Sequence, residues 1–173
     1  MTHLHSTLAV GIAIALFGCA SAPPTVRAAQ VENQQCNGSA MASNDEQVLK
    51  STNVLKVAPI YGHVHTSYND YEARVNGATL YVQPPPGVDA EQMTRILQCH
   101  NARVLLGQVA QSDASNDPYS LPNTWLDIDV KPQMGTYAVS VSADNVHNGL
   151  EVLARAHSYA DARNPSAASS NQP

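Results

Sequence analysis

Residues 71–107 read YEARVNGATLYVQPPPGVDAEQMTRILQCHNARVLLG, and two periodicities inside this stretch set the fold class. Asn76-Gly77 is a two-residue turn signal, because both central positions of a type I′ turn need positive φ. Counting outward pairs Val75 with Ala78, Ala73 with Leu80 and Tyr71 with Val82, all on one face, which predicts a hairpin. Pro84-Pro85-Pro86-Gly87 then stops the strand. Asp89 is placed to cap a helix, with Gln92 at the capping-box position. At 100° per residue, Met93, Ile96, Leu97, His100 and Val104 form one stripe, and Gly107 suits the C-terminal cap.

The same alternation of periods returns downstream. After a polar loop from Gln111 to Asn123, residues Trp125 to Lys131 alternate strictly. Leu126, Ile128 and Val130 fall on one face, and Trp125, Asp127, Asp129 and Lys131 on the other. Pro132-Gln133-Met134-Gly135 reads as the loop of a second, longer hairpin, followed by Tyr137, Val139 and Val141 in alternation. Asp144 is placed to cap a second helix with Val146, Leu150, Leu153, His157 and Ala160 on one face. The order ββαββα, with one apolar face per element, predicts an α+β two-layer sandwich. It has a four-stranded, mainly antiparallel sheet with two helices on one face, in a single domain over 47–162. Val54, Leu55, Val57, Ile60 and Tyr61 read as an edge strand or packing arm.

The first residues carry a targeting signal. Leu8 to Phe17 (LAVGIAIALF) is a run of ten uncharged residues. As a helix it rises ~15 Å, half of what spanning needs, which is the length of a signal-peptide apolar region. Leu16-Phe17-Gly18-Cys19 follows directly and resembles the lipobox of bacterial lipoproteins, in Leu16, Gly18 and Cys19. The resemblance covers only this start. It implies removal of residues 1–18, acylation of Cys19, and attachment in the cell envelope. With Ala20 after the cysteine, the outer membrane facing the periplasm is implied. Ala20-Ser21-Ala22 offers an alternative cut that releases a soluble periplasmic chain. From there to Glu46 the chain is rich in Ala, Ser, Asn, Gln and Pro, so 19–46 reads as a flexible tether. Residues 163–173, ending NPSAASSNQP, read as a disordered tail.

Composition narrows the function classes. The 173 residues are 13% charged, with 9 Lys plus Arg against 14 Asp plus Glu and a net charge of −5. Nucleic-acid binding built on phosphate neutralisation is disfavoured by that balance. With Cys19 acylated, Cys36 and Cys99 are left as a candidate disulfide in an oxidising compartment, closing about 62 residues for up to ~4 kcal/mol. His63-Val64-His65 spaces two imidazoles on one face of an extended segment, a pattern for zinc or copper, with His100 as a further candidate ligand. His100 and His157 each sit centrally in a helical stripe. They read as core-edge residues bonded to a carbonyl or an Asp, or as one shared site. The chain has no G-x-S-x-G, H-E-x-x-H, P-loop or G-x-G-x-x-G sequence, so no catalytic residue and no cofactor beyond such a metal is assigned. The expected function is that of a non-enzymatic, lipid-anchored binding or structural module. Its partner is the membrane plus an envelope protein or glycan, met by the open sheet face with Tyr81, Trp125, Asp127 and Asp129. The alternative is a metal-binding or metal-sensing lipoprotein using His63 and His65.

Overall fold

The computed structural model of the chain describes residues 22–36, 39–67, 70–109 and 116–164, the side chains of 39–43 and 63–71 excepted. Its elements are α1 (Pro24–Gln35), α2 (Ser39–Ser51), β1 (Val54–Ser67), β2 (Asp70–Val82), α3 (Ala90–Leu105), β3 (Asp127–Gln133), β4 (Thr136–Ser142) and α4 (Val146–Arg163). The strands form one antiparallel sheet in the order β1-β2-β4-β3. Alternation decides the core. Ala78, Leu80 and Val82 of β2, Ile128 and Val130 of β3, and Val139 and Val141 of β4 are buried on one face. Met93, Ile96 and Leu97 of α3 and Val152 and Ala156 of α4 pack against them. This is the expected α+β sandwich, with ββαββα from β1 onward.

The ends of α3 also follow the sequence. The Asp89 carboxylate accepts from Gln92 N–H at 2.7 Å, satisfying one of the free donors of the first turn. Gly107, at φ +69°, closes the helix, with its N–H donating to Val104 O (3.1 Å) and Gln108 N–H to Arg103 O (2.8 Å).

The Asn76-Gly77 hairpin does not form. Both residues lie inside the single strand β2, neither has positive φ, and β2 pairs with β1 on one side and β4 on the other. Gly77 pairs with Ile60 and Val75 with Tyr61, so Asn76 is an extra residue, a bulge, and its carbonyl accepts from Ala143 N–H at 2.9 Å. Glycine is needed here for close approach. A Cβ on Gly77 would lie 2.0 Å from Val141 O, one on Gly62 would meet the Asn76 side chain, and one on Gly149 would lie 2.6 Å from Val75 O. Three glycines thus let β1, β4 and α4 converge on one bulge. The type I′ signature sits instead at Met134 (φ 45°) and Gly135 (φ 81°), which join Gln133 to Thr136 as a two-residue hairpin, shorter than the loop expected there.

The bulge also sets the rotation of α4. Its N-cap is Asn145, whose side chain accepts from Asn148 N–H, in place of Asp144. Gly149, Val152 and Ala156 face the sheet, while Leu150 is half exposed and His157 is exposed.

The tether expected over 19–46 is largely helical. α1 packs along α3, with Ala28 buried against Ala102 and Trp125. Small residues at the contact bury little area, so covalent and ionic links supply the rest. Cys36 and Cys99 form a disulfide across a Cα separation of 5.6 Å. Arg103 of α3, 8% exposed, donates to Cys36 O (3.1 Å) and Asp45 of α2 (3.3 Å) and faces Glu32 of α1 at 3.4 Å. The domain therefore begins at α1, before residue 47. It also ends later than 162, since Arg163 and Asn164 bond back to the start of β1. The guanidinium donates to Leu49, Lys50 and Thr52 carbonyls, and the Asn164 amide to Val54 O. The proposed signal, Cys19, and the tail from 165 lie outside the described residues.

An exposed helical Gly→Ala change is worth ~1 kcal/mol of added stability. Gly149→Ala is expected to do the reverse and cost about 2 kcal/mol, because the new methyl meets backbone that cannot retreat. Urea denaturation measures the sign.

Candidate functional site

Two surfaces combine polar chemistry with a defined shape. The first is a pocket of about 150 Å³ between α2, α3 and α4, bordered by Leu49, His100, Val109, Tyr119, Tyr159 and Arg163. α3 presents His100 at the edge of its apolar stripe, and the Asp117-Pro118 turn brings a carboxylate to it. His100 Nε2 stands 2.5 Å from Asp117 Oδ2. The carboxylate only accepts, so Nε2 carries the proton. Asp117 also accepts from Tyr119 N–H (2.9 Å) and Ser120 Oγ (2.8 Å), which locks the turn. His100 is thus the Asp-bonded, core-edge histidine of the sequence reading. His157, on the solvent side of α4, does not join it.

Tyr119 and Tyr159 meet edge to face, with centroids 5.7 Å apart. Tyr159 donates its hydroxyl to Leu49 O at 3.2 Å and is covered by the Arg163 guanidinium, 4.0 Å from the ring centre. The Tyr119 hydroxyl is fully enclosed and has no hydrogen-bond partner among the described residues. Such a group costs about 1–3 kcal/mol. Burial raises its pKa well above 10, and the neighbouring Tyr159 and Asp117 push the same way. Burial likewise pushes Tyr159 up to about 12, against the opposing charge of Arg163.

The second surface is the open face of the sheet. Cross-strand register sets Asp127 beside Ser142, Asp129 beside Ser140, and Lys56 beside Tyr81, whose ring lies 5.7 Å from the ammonium. Asp129 pairs with Lys131 at 3.1 Å. A shallow hollow of about 410 Å³ between α1 and β3 continues this face past Gln30 and Gln98. Trp125 lies at the edge of this face but is not open to a partner. It is buried under α1, with Arg27 over its ring and its indole N–H donating to Asp127 at 3.2 Å. Alternation is kept, with Leu126 in the core and Trp125 on the side of Asp127, and it is α1 that covers the indole there.

His63 and His65 occupy alternate positions of β1, opposite Ala73 and Tyr71, and their side chains lie outside the described residues. Among the described residues, no group of three or more His, Cys, Asp or Glu stands within reach of one metal ion. No described helix is long and apolar enough to cross a membrane.

Sequence reasoning missed Tyr119, Tyr159 and Arg163. A signal existed for the last two. Gly149, Val152, Ala156, Tyr159 and Arg163 follow a 3-4-3-4 spacing as strict as the stripe chosen instead. Tyr119 stood in a loop read as polar, wedged between Pro118 and Leu121-Pro122.

Both buried phenols bind their protons more tightly folded than unfolded. The stability they contribute is whole below pH 10 and is lost above it, for Tyr159 as pH rises through about 12. The unfolding free energy, measured by urea denaturation at successive pH values above 10, is expected to fall by ~1 kcal/mol per pH unit per phenol still protonated in the folded state. Tyr119→Phe should flatten the slope. Equal slopes for the two proteins would contradict the assignment.

Compared with protein-family models, with curated proteins and with solved structures, the chain matches none.

Proposed function

We propose that this chain is a lipid-anchored protein of the cell envelope, held by Cys19, whose α+β domain is a non-enzymatic binding module. The observation that carries the binding role is the open sheet face. α1 borders it only at the Trp125 edge, and it presents Asp127, Asp129, Lys131, Lys56 and Tyr81 in a fixed register. Open and polar, with a Tyr ring among the charges, it suits a protein or glycan surface better than an enclosed small molecule. The Cys36–Cys99 disulfide supports export, since such bonds persist in oxidising compartments.

The start of α1 changes how such an anchor would act. Only residues 20–23 separate Cys19 from Pro24, a reach of about 18 Å at full extension. A domain so attached stays beside the bilayer and meets partners at the membrane surface.

Metabolic labelling with a fatty-acid probe is expected to mark the wild-type chain and not Cys19→Ala. Equal labelling of both would remove the anchor. A photocrosslinking residue at position 129 should capture a discrete partner in intact cells, and one at position 154, on the solvent side of α4, should not. Capture from 154 alone would place the interaction on the helical layer.

A further inference from the structure

The hollow between α1 and β3 does not end at the sheet. It shares Gln35, Gln98 and Asp129 with a second, larger hollow of about 950 Å³, walled by the end of α1 and the first turns of α3. Together they form one open trough beside the outer edge of β3. α1 rises ~12 Å from Arg27 to Gln35, and α3 ~13 Å from Gln98 back to Asp89, a length that suits a chain rather than a single ring. We propose, resting on the open sheet face as a binding surface, that this trough binds a linear, uncharged glycan whose hydroxyls donate to Asp127, Asp129 and Gln98.

Hydrogen-bonding capacity points to that class. Gln98 donates its Nε2 to Ile128 O at 3.1 Å, which leaves Oε1 to accept. Asp127 Oδ1 accepts the Trp125 indole N–H (3.2 Å), and Asp129 Oδ2 faces Lys131 (3.1 Å), so one oxygen of each carboxylate is left to a ligand. Both carboxylates are exposed, with Ser142 and Ser140 opposite them on β4. Their bonds to the protein hold these acceptors in place, and they call for a ligand rich in donors. Along α1, Gln30, Gln34 and Gln35 are exposed amides, each able to donate and to accept. A sugar ring carries several hydroxyls that do both, whereas an extended peptide offers one N–H and one C=O per residue.

The edge of β3 is blunted against a peptide, which would add as a strand through free backbone groups. Asn101 Nδ2 donates to Leu126 O (3.4 Å), Gln98 caps Ile128 O, and Pro132 has no N–H to give. Recognition in the trough therefore falls to side chains.

Charge sets a further limit. Asp89, Glu91, Asp127 and Asp129 outnumber Arg27 and Arg95 in the lining, and Lys131 beside Asp129 does not reverse the excess. That field repels an anionic polymer. With Arg27 over the Trp125 ring, sugars are held by hydrogen bonds rather than by stacking, so affinity grows with the number of rings engaged.

The test titrates the full chain, purified with its disulfide intact, with cellotetraose, chitotetraose, maltotetraose, their monosaccharides and tetragalacturonate, read by calorimetry and NMR shifts. A neutral tetrasaccharide of this set is expected to bind with Kd of about 1 mM or tighter, and about tenfold more tightly than its monosaccharide. Asp129→Ala should weaken it about tenfold, through loss of a charged acceptor, and Gln35→Ala about threefold. Asp161→Ala, exposed on α4, should leave it unchanged. Absence of saturable binding by all three neutral chains, tighter binding of tetragalacturonate, or equal binding by wild type and Asp129→Ala overturns the glycan. A polypeptide captured from position 129 in intact cells, without oligosaccharide binding, overturns it too and leaves the face a binding surface. No capture and no oligosaccharide binding together remove both.

Discussion

The buried charge of Arg103 organises everything outside the sheet. A guanidinium taken from water costs several kcal/mol unless it is paired and hydrogen-bonded. α3 alone offers it nothing. Its partners are Glu32 and the Cys36 carbonyl at the end of α1, and Asp45 on α2. The two N-terminal helices are thus the counter-charge of α3, and the disulfide holds the first of them in place. This explains how segments with so little apolar surface can dock. Ala28 against Ala102 provides closeness, the disulfide holds the contact covalently, and the partners of Arg103 offset the cost of burying its charge there. Docking of α2 also supplies Leu49 and Lys50 to the pocket, where Tyr159 and Arg163 bond to their carbonyls.

A second constraint shapes the sheet. At Asn76 the chain carries one residue too many for its partner, and glycines on β1, on β2 itself and on α4 make room for close packing around that bulge. Past it, β1 and β2 continue as a two-stranded ribbon, since β4 pairs with β2 only from Gly77 to Val82. The bulge therefore separates a four-stranded body from a ribbon about 23 Å long.

These two constraints account for what was legible in the sequence and what was not. Strand alternation in 125–142 and the capped stripe of α3 were read correctly, because they depend on local periodicity alone. Asn76-Gly77 misled because Asn-Gly serves both a tight turn and a close crossing, and only the tertiary partners choose. Met134-Gly135 was the true I′ pair, hidden because methionine rarely adopts positive φ. α4 offered two helical stripes. Hydrophobicity favoured the one with Leu150 and His157, and the bulge selected the one with Gly149, since a leucine there would have held the helix off the sheet. α1 and α2 were illegible for the same reason that they are unusual: their docking is written in one Arg, two acids and a cysteine rather than in an apolar stripe. At the site, the histidine on α3 could be found from its stripe and Tyr159 from the second stripe of α4, but Asp117 and Tyr119 could not, because a loop brings them.

The two ends of the body are not equivalent, and this bears on how an anchored chain would work. Arg27, in the first turn of α1, lies over Trp125, two residues before β3. Asp127 at the start of β3 is level with Ser142, and Ser142 with Gly77, where the ribbon leaves the body. The N-terminus of α1 and the root of the ribbon therefore share one end. With Cys19 five residues before Pro24, an anchor at that end would turn the root of the ribbon toward the bilayer. The opposite end, with the Met134-Gly135 hairpin and the start of α3, would turn away from it. The open sheet face, running between these ends, would then stand roughly upright from the membrane. A face so placed can meet a partner lying along the bilayer or spanning the space above it, which a domain on a long tether would have no means to favour.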